Sequence, residues 1–252
     1  MGAKTHLIII TGTSRGIGAA LAHALLKPDN LLVCVSRSRN PDVERNASEN
    51  GHRVSWYQQD LSKPGPAASW LADLLDSINE PVASATLILN AGVVEPIGPI
   101  ADLQESTLVP HLLTNLATPM TLTGAFIAHT ERFGCPRKVL GISSGAGRNP
   151  FPNLSAYSAG KAGLDMFIRS VNAEYAQHPV ERTVRAVSLA PGAVDTSMHA
   201  TLRNTDSAQM QRFRDRKESG LLASSDDVAR CIADYLARPD FGSTEIDDVR
   251  NL

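Results

Sequence analysis

The sequence predicts a doubly wound α/β domain, a parallel sheet of about seven strands with helices on both faces. Short apolar runs bounded by glycine, proline or polar residues recur along the chain, the mark of strands buried on both sides. Helical apolar spacing fills the segments between them, so strand and helix alternate from one end to the other. No internal repeat, low-complexity tract or linker breaks this alternation, and residues 1–252 read as a single domain. That length suffices for one large core, and 42% hydrophobic with 20% charged residues is an ordinary globular balance.

The first strand is expected over residues 4–10, where Leu7, Ile8, Ile9 and Ile10 follow one another. It breaks at Thr11-Gly12-Thr13-Ser14-Arg15-Gly16-Ile17-Gly18, after which Ile17, Leu21, Ala24 and Leu25 carry helical spacing. Strand, glycine-rich turn and helix in this order suit a pyrophosphate. The glycines let backbone amides approach it, and the helix N-terminus is partly positive. The second strand, 31–36, runs out at Ser36-Arg37-Ser38. At this point of a dinucleotide-binding fold an acidic side chain holds ribose hydroxyls, whereas an arginine accommodates a 2′-phosphate. Arg37 stands here and Arg15 in the preceding turn, and two guanidinium groups suit a phosphate dianion. The expected cofactor is therefore NADP(H) rather than NAD(H).

A third strand, 53–58, leads to Asp60-Leu61. Asp60 either accepts from an adenine amino group or caps a helix beginning near Lys63. Trp70, Leu71, Leu74, Leu75 and Ile78 form the apolar face of a helix over 67–78. The fourth strand, 85–89, ends at Asn90-Ala91-Gly92, small residues that let a ligand come close at the sheet's crevice. Prolines make 93–100 a loop, and 103–133 reads as two helices or one disturbed near Pro119. Asn115 lies among Leu112, Leu113, Leu116 and Met120, and a buried asparagine must find hydrogen bonds. The fifth strand, 139–143, ends at Ser143-Ser144-Gly145; a loop over 148–154 and a long helix to about residue 177 follow. The sixth strand, 184–189, breaks at Ala190-Pro191-Gly192. From about 195 to 222 the chain turns polar, with Met198, Leu202, Met210 and Phe213 as sparse apolar points, a pattern suited to a substrate lid with short helices. Ser224 is placed to cap a helix over 227–237, and 242–252 has room for one short edge strand.

The long helix carries Tyr157 and Lys161, whose four-residue spacing places both on one face. A neighbouring ammonium favours the phenolate and pulls the tyrosine pKa down, so the pair is a candidate acid/base unit. Composition narrows the remaining classes. A net charge of −2 argues against a nucleic-acid partner. Cys34, Cys135 and Cys231 match no metal spacing and read as free thiols, and the seven histidines form no ligand cluster, so no metal is expected. No run approaches the ~20 apolar residues of a membrane span, and no secretory signal is visible. A cytoplasmic location with no membrane partner is the expectation.

These motifs stand in order across nearly the whole chain: Thr11-Gly12-x-x-x-Gly16-Ile17-Gly18, Asn90-Ala91-Gly92, Asn115, Ser144 thirteen residues before Tyr157-x-x-x-Lys161, and Pro191-Gly192 followed by Thr196. The sequence resembles the short-chain dehydrogenase/reductase family, most nearly its fungal benzil reductases and sepiapterin reductases. Leu89 departs from the pattern where the family often has a second asparagine. The resemblance implies a Rossmann-type fold and an NADPH-dependent carbonyl reductase. It implies a pyrophosphate on the turn of Gly12, Ser14, Arg15, Gly16, Ile17 and Gly18, with Arg15, Arg37 and Ser38 at the 2′-phosphate. Asp60, Leu61, Asn90, Ala91 and Gly92 would line the adenosine and ribose. Pro191, Gly192, Val194 and Thr196 would enclose the nicotinamide. Ser144 would hydrogen-bond the substrate carbonyl and Tyr157 would protonate it. Lys161 would hold the ribose and lower the Tyr157 pKa, and Asn115 would hold a water linking Lys161 to solvent. Placement alone suggests Glu95, Asn149, Phe151, Met198 and Leu202, with Ser144, for a substrate pocket suited to an apolar or aromatic carbonyl compound. A reductase of a pterin side-chain ketone is the alternative enzyme, and an NADPH-sensing regulator the alternative outside catalysis. Wide apolar helix faces suggest a homo-oligomer.

Overall fold

The apolar runs become strands because each offers side chains to two helical layers at once. A computed structural model describes residues 5–178 and 183–252; Lys4, where the first strand was expected to begin, lies outside them. Among the described residues the strands are β1 (Thr5–Thr11), β2 (Asn30–Ser36), β3 (Arg53–Gln58), β4 (Val82–Leu89), β5 (Arg137–Ile142), β6 (Val184–Ala190) and β7 (Ile246–Asp248). They pair in parallel in the order β3-β2-β1-β4-β5-β6-β7. Within β1, Ile8 and Ile10 face one layer and Leu7 and Ile9 the other, as the two-residue period of a strand requires. The first layer contains α1 (Gly16–Ala24), α2 (Pro41–Glu49) and α9 (Ser225–Ala237). The second contains α3 (Pro64–Ser77), α5 (Thr118–Thr130) and α6 (Ser155–Tyr175).

Local chemistry sets the helix starts. Asn40 caps α2 by accepting from the N–H groups of Asp42 (3.1 Å) and Val43 (3.4 Å), with Pro41 in the first turn. Ser224 caps α9 by accepting from Asp227 N–H at 3.0 Å. The helical stretch before β5 divides into α4 (Glu105–Leu112), a π-helical turn (Leu113–Ala117) and α5. The disturbance thus lies just before Pro119, which itself stands in the first turn of α5.

The polar excursion is folded. It forms α7 (Ser197–Asn204), a 3₁₀ turn (Ala208–Met210) and α8 (Gln211–Glu218). Its four apolar points, Met198, Leu202, Met210 and Phe213, pack with Val94, Ala146, Leu154 and Tyr157 in a satellite core. Burial of each such side chain stabilises this arrangement by roughly 1.5–3 kcal/mol. Its two ends are joined: Ala223 N–H donates to Ala193 C=O (2.9 Å) and Asp195 N–H to Ala223 C=O (3.0 Å). Among the described residues, no helix is long and apolar enough to cross a membrane and no side-chain cluster is arranged for a metal.

Candidate active site

The carboxyl ends of β1, β2, β4, β5 and β6 open on one cleft of about 760 Å³. The order reverses between β1 and β4, and such a switch point leaves a crevice at the strand ends.

One arm of the cleft is a backbone cradle. Gly12 adopts φ +76°, and a Cβ there would lie 2.9 Å from both Ala91 Cα and Asn90 Nδ2. A Cβ on Gly18 would strike the Gly12 carbonyl. The turn is braced from β4: Asn90 Nδ2 donates to the carbonyls of Thr11 (2.9 Å) and Gly12 (3.2 Å), and Thr11 Oγ1 accepts from the N–H groups of Asn90 and Ala91 at 3.0 Å each. No side chain caps α1. Its free amides, partial positive charge and lack of Cβ bulk fit a dinucleotide diphosphate. Ser14, Arg15, Gly16, Ile17, Arg37, Ser38, Asp60, Leu61, Ala91 and Gly92 line the same arm.

Asp60 does not cap α3, which begins at Pro64 after an uncapped Lys63. Its carboxylate accepts from Ser62 N–H (3.1 Å) and Ser62 Oγ (2.7 Å), which hold its pKa below the ordinary carboxylate value. Its salt bridge is to Lys63, at 3.7 Å. Arg15 and Arg37 line this arm and form no salt bridge among the described residues; the Arg37 charge adds to the depression of the Asp60 pKa.

At the inner end, α6 presents Tyr157 and Lys161, 8% and 4% exposed. Lys161 Nζ donates to Ile142 C=O at 2.7 Å, at the end of β5. Burial pulls its pKa from 10.5 to about 8, against the opposing pull of the Asp165 carboxylate. The expected depression of the Tyr157 pKa is corrected here. Burial drives it upward, a hydrogen bond with Ser144 opposes that, and Lys161 makes its bond to the Ile142 carbonyl instead. Ser144 Oγ accepts from Ala146 N–H at 3.1 Å, which fixes the hydroxyl beside Tyr157. The Tyr157 hydroxyl points to Met198 Sδ at 3.8 Å.

Asn115 is 1% exposed and lies in the π-helical turn. Its Oδ1 accepts from Val93 N–H (2.9 Å), and its Nδ2 donates to Val93 C=O (2.7 Å) and His111 Nε2 (2.9 Å). The Asn115 side chain is thus a strap on the segment after β4. His111 Nδ1 lies 2.6 Å from Glu95 C=O, so Nδ1 carries the proton and Nε2 accepts from Asn115. Burial lowers the His111 pKa, in keeping with that neutral tautomer.

Glu95 and Met198 wall the second arm together with Val93, Pro110, His111 and Thr114. Three substrate candidates are corrected. Asn149 donates to Gly145 C=O at 3.2 Å within its own turn. Phe151 packs on Phe213, centroids 6.4 Å apart, beneath Arg212, and Leu202 is buried in the same satellite core. Pro191 and Thr196 line the cleft; Val194 is buried behind it, and Gly192 forms the turn between them at φ +75°.

The profile of the short chain dehydrogenase family matches residues 6–207. The protein belongs to that family. A benzil reductase of Bacillus cereus, (S)-benzoin forming, is 35% identical over 95% of this chain and 97% of its own. A sepiapterin reductase of Xenopus tropicalis is 32% identical, over 91% and 90%. A solved short-chain dehydrogenase/reductase from Burkholderia vietnamiensis is 33% identical, covers all of both chains and superposes with TM-score 0.67. This short-chain dehydrogenase is thus an oxidoreductase of CH–OH and C=O groups that uses a nicotinamide cofactor.

Two residues of this short-chain dehydrogenase's site carried a signal that went unused. His111 precedes Asn115 by four positions and Asp165 follows Lys161 by four, the spacing that singled out Tyr157 and Lys161.

Proposed function

We propose that the protein is an NADPH-dependent carbonyl reductase for ketones with apolar or aromatic flanks, with a 1,2-diketone such as benzil as the model substrate. The Ser144–Tyr157 pair, with Tyr157 in the cleft where the cradle meets the second arm, carries this reading. Similarity to benzil reductases over nearly the whole chain supports the substrate class. Arg15 and Arg37 on the cradle's arm support NADPH over NADH, because paired guanidinium groups suit a phosphate dianion.

Bound on the cradle, NADPH supplies the hydride. The Ser144 hydroxyl donates to the substrate oxygen as negative charge builds there. Tyr157 Oη gives the proton; its raised pKa keeps it protonated at neutral pH, which suits an acid in the reductive direction. The Lys161 ammonium balances the charge left on the phenolate. Met198 yields its contact with Tyr157 to the incoming carbonyl. The apolar helix faces, with Val109, Met120 and Met166 exposed, support self-association, and the free thiols of Cys34, Cys135 and Cys231 suit a cytosolic setting.

The test follows NADPH oxidation with benzil, other diketones, quinones and sepiapterin, alongside NADH and a Tyr157→Phe variant. Benzil turnover with NADPH, reduced about a hundredfold or more in the variant with NADPH binding kept, is expected. Preference for sepiapterin moves the substrate to a pterin ketone, for which Glu95 in the cleft wall is the available polar anchor. Tight NADPH binding without turnover of any carbonyl overturns the enzyme reading in favour of a sensor.

A further inference from the structure

Asp165 lies one turn after Lys161 on α6 and is 8% exposed. A carboxylate so placed needs donors, since an unpaired buried charge is costly. It has three. Ser143 Oγ and Ser188 Oγ each donate to Oδ1 at 2.6 Å, and Arg148 Nε donates to Oδ2 at 3.2 Å. Ser143 directly follows β5 and immediately precedes Ser144, while Ser188 lies in β6. Arg148 comes from the turn after β5 and also donates to Asp247 C=O at 2.9 Å, at β7. One carboxylate therefore ties α6, β5, β6 and the turn carrying Ser144 together. Its pull on Lys161 is electrostatic as well, since it favours the charged ammonium.

We propose that Asp165 is a positioning residue of the reductase: through Ser143, Ser188 and Arg148 it fixes Ser144 and Lys161 relative to each other, and it sets a negative charge one helical turn from Lys161. The inference rests on the carbonyl-reductase reading. The ionisable and charged groups around Lys161 are Tyr157 and Asp165 on its own helix, His111 from α4, and Arg148 with Asp248 beyond it. His111 is held neutral, and Arg148 faces Asp165, so Asp165 is the anion that acts on Lys161. Reduction needs charged Lys161 and protonated Tyr157, so activity falls as pH rises through the Lys161 value. Loss of the anion moves that alkaline limb to lower pH.

The test compares wild type, Asp165→Asn and the double variant Ser143→Ala/Ser188→Ala. It measures kcat and KM for benzil across pH, NADPH affinity by fluorescence, and amide hydrogen exchange over residues 143–147. Asp165→Asn is expected to lower kcat about tenfold, to shift the alkaline limb down by about half a pH unit or more, and to leave NADPH affinity within about twofold. The double variant keeps the charge, so its kcat falls and exchange over 143–147 quickens while the limb stays in place. It alone carries the test should Asp165→Asn not fold. A folded Asp165→Asn with wild-type kcat and limb, or a double variant with wild-type kcat and exchange, overturns the proposal. Wild type that binds NADPH but turns over no carbonyl refutes the reductase reading instead.

Discussion

Met198 holds the acceptor position at the Tyr157 hydroxyl, 3.8 Å away, so in the proposed reaction the substrate carbonyl displaces it. A displaced thioether stays near the bound molecule, and sulfur favours aromatic neighbours. Met198→Ala is expected to lower kcat/KM for benzil about tenfold and for a small aliphatic diketone by less than about twofold. Steady-state kinetics with the two substrates measures the ratio, and equal losses would remove Met198 from selectivity. Residue types at motif spacing were legible: Gly12, Gly18, Tyr157 and Lys161 line one cleft, and Ser144 is hydrogen-bonded to Tyr157. Residue states were not. The Tyr157 pKa direction depends on burial from α7, which no spacing along α6 encodes. Asn149 and Phe151 lie near Ser144 in sequence, but Phe213, some sixty residues on, draws Phe151 into another core.

α7 and α8 are held together by four apolar side chains, by Arg214, which donates to the carbonyls of Arg203, Thr205 and Ser207, and by one acidic clasp. Asp195 accepts from Arg203 Nη1 at 3.2 Å and Lys217 Nζ at 2.6 Å, joining both helices. The clasp is largely exposed, so its contribution is small beside that of Phe213. Phe213→Ala is expected to loosen the excursion by about 3 kcal/mol or more. Limited proteolysis should then cut between 195 and 222 while the sheet keeps its far-UV signature; a variant as resistant as wild type would refute this. Element boundaries elsewhere followed from simple rules. β1, β2 and β4 were legible because each is a nearly continuous apolar run, and α9 because Ser224 precedes its apolar face. The π-helical turn at Leu113–Ala117 was not, because it answers to Val93, on another element, through Asn115.

Across the whole molecule, the buried Lys161 opposes the fold. Lys161 is charged with a pKa near 10.5 when unfolded and about 8 when folded. Below about 8 both states hold the proton and the burial penalty is complete; between about 8 and 10.5 only the unfolded chain holds it, and stability rises with pH. Lys161→Met is therefore expected to abolish turnover and to raise Tm most below pH 8, with the advantage shrinking as pH climbs toward 10.5. The raised Tyr157 acts at higher pH and in both proteins alike. A Tm difference independent of pH would contradict the burial of this charge. The joined ends of the excursion have a different kind of consequence. With Ala193, Asp195 and Ala223 hydrogen-bonded at its base, the sheet never registers how long or how varied the intervening chain is. That makes residues 195–222 an exchangeable cassette: a relative's segment grafted between the same two anchors would keep the sheet pairing and replace the wall that Met198 and its apolar neighbours build against Tyr157.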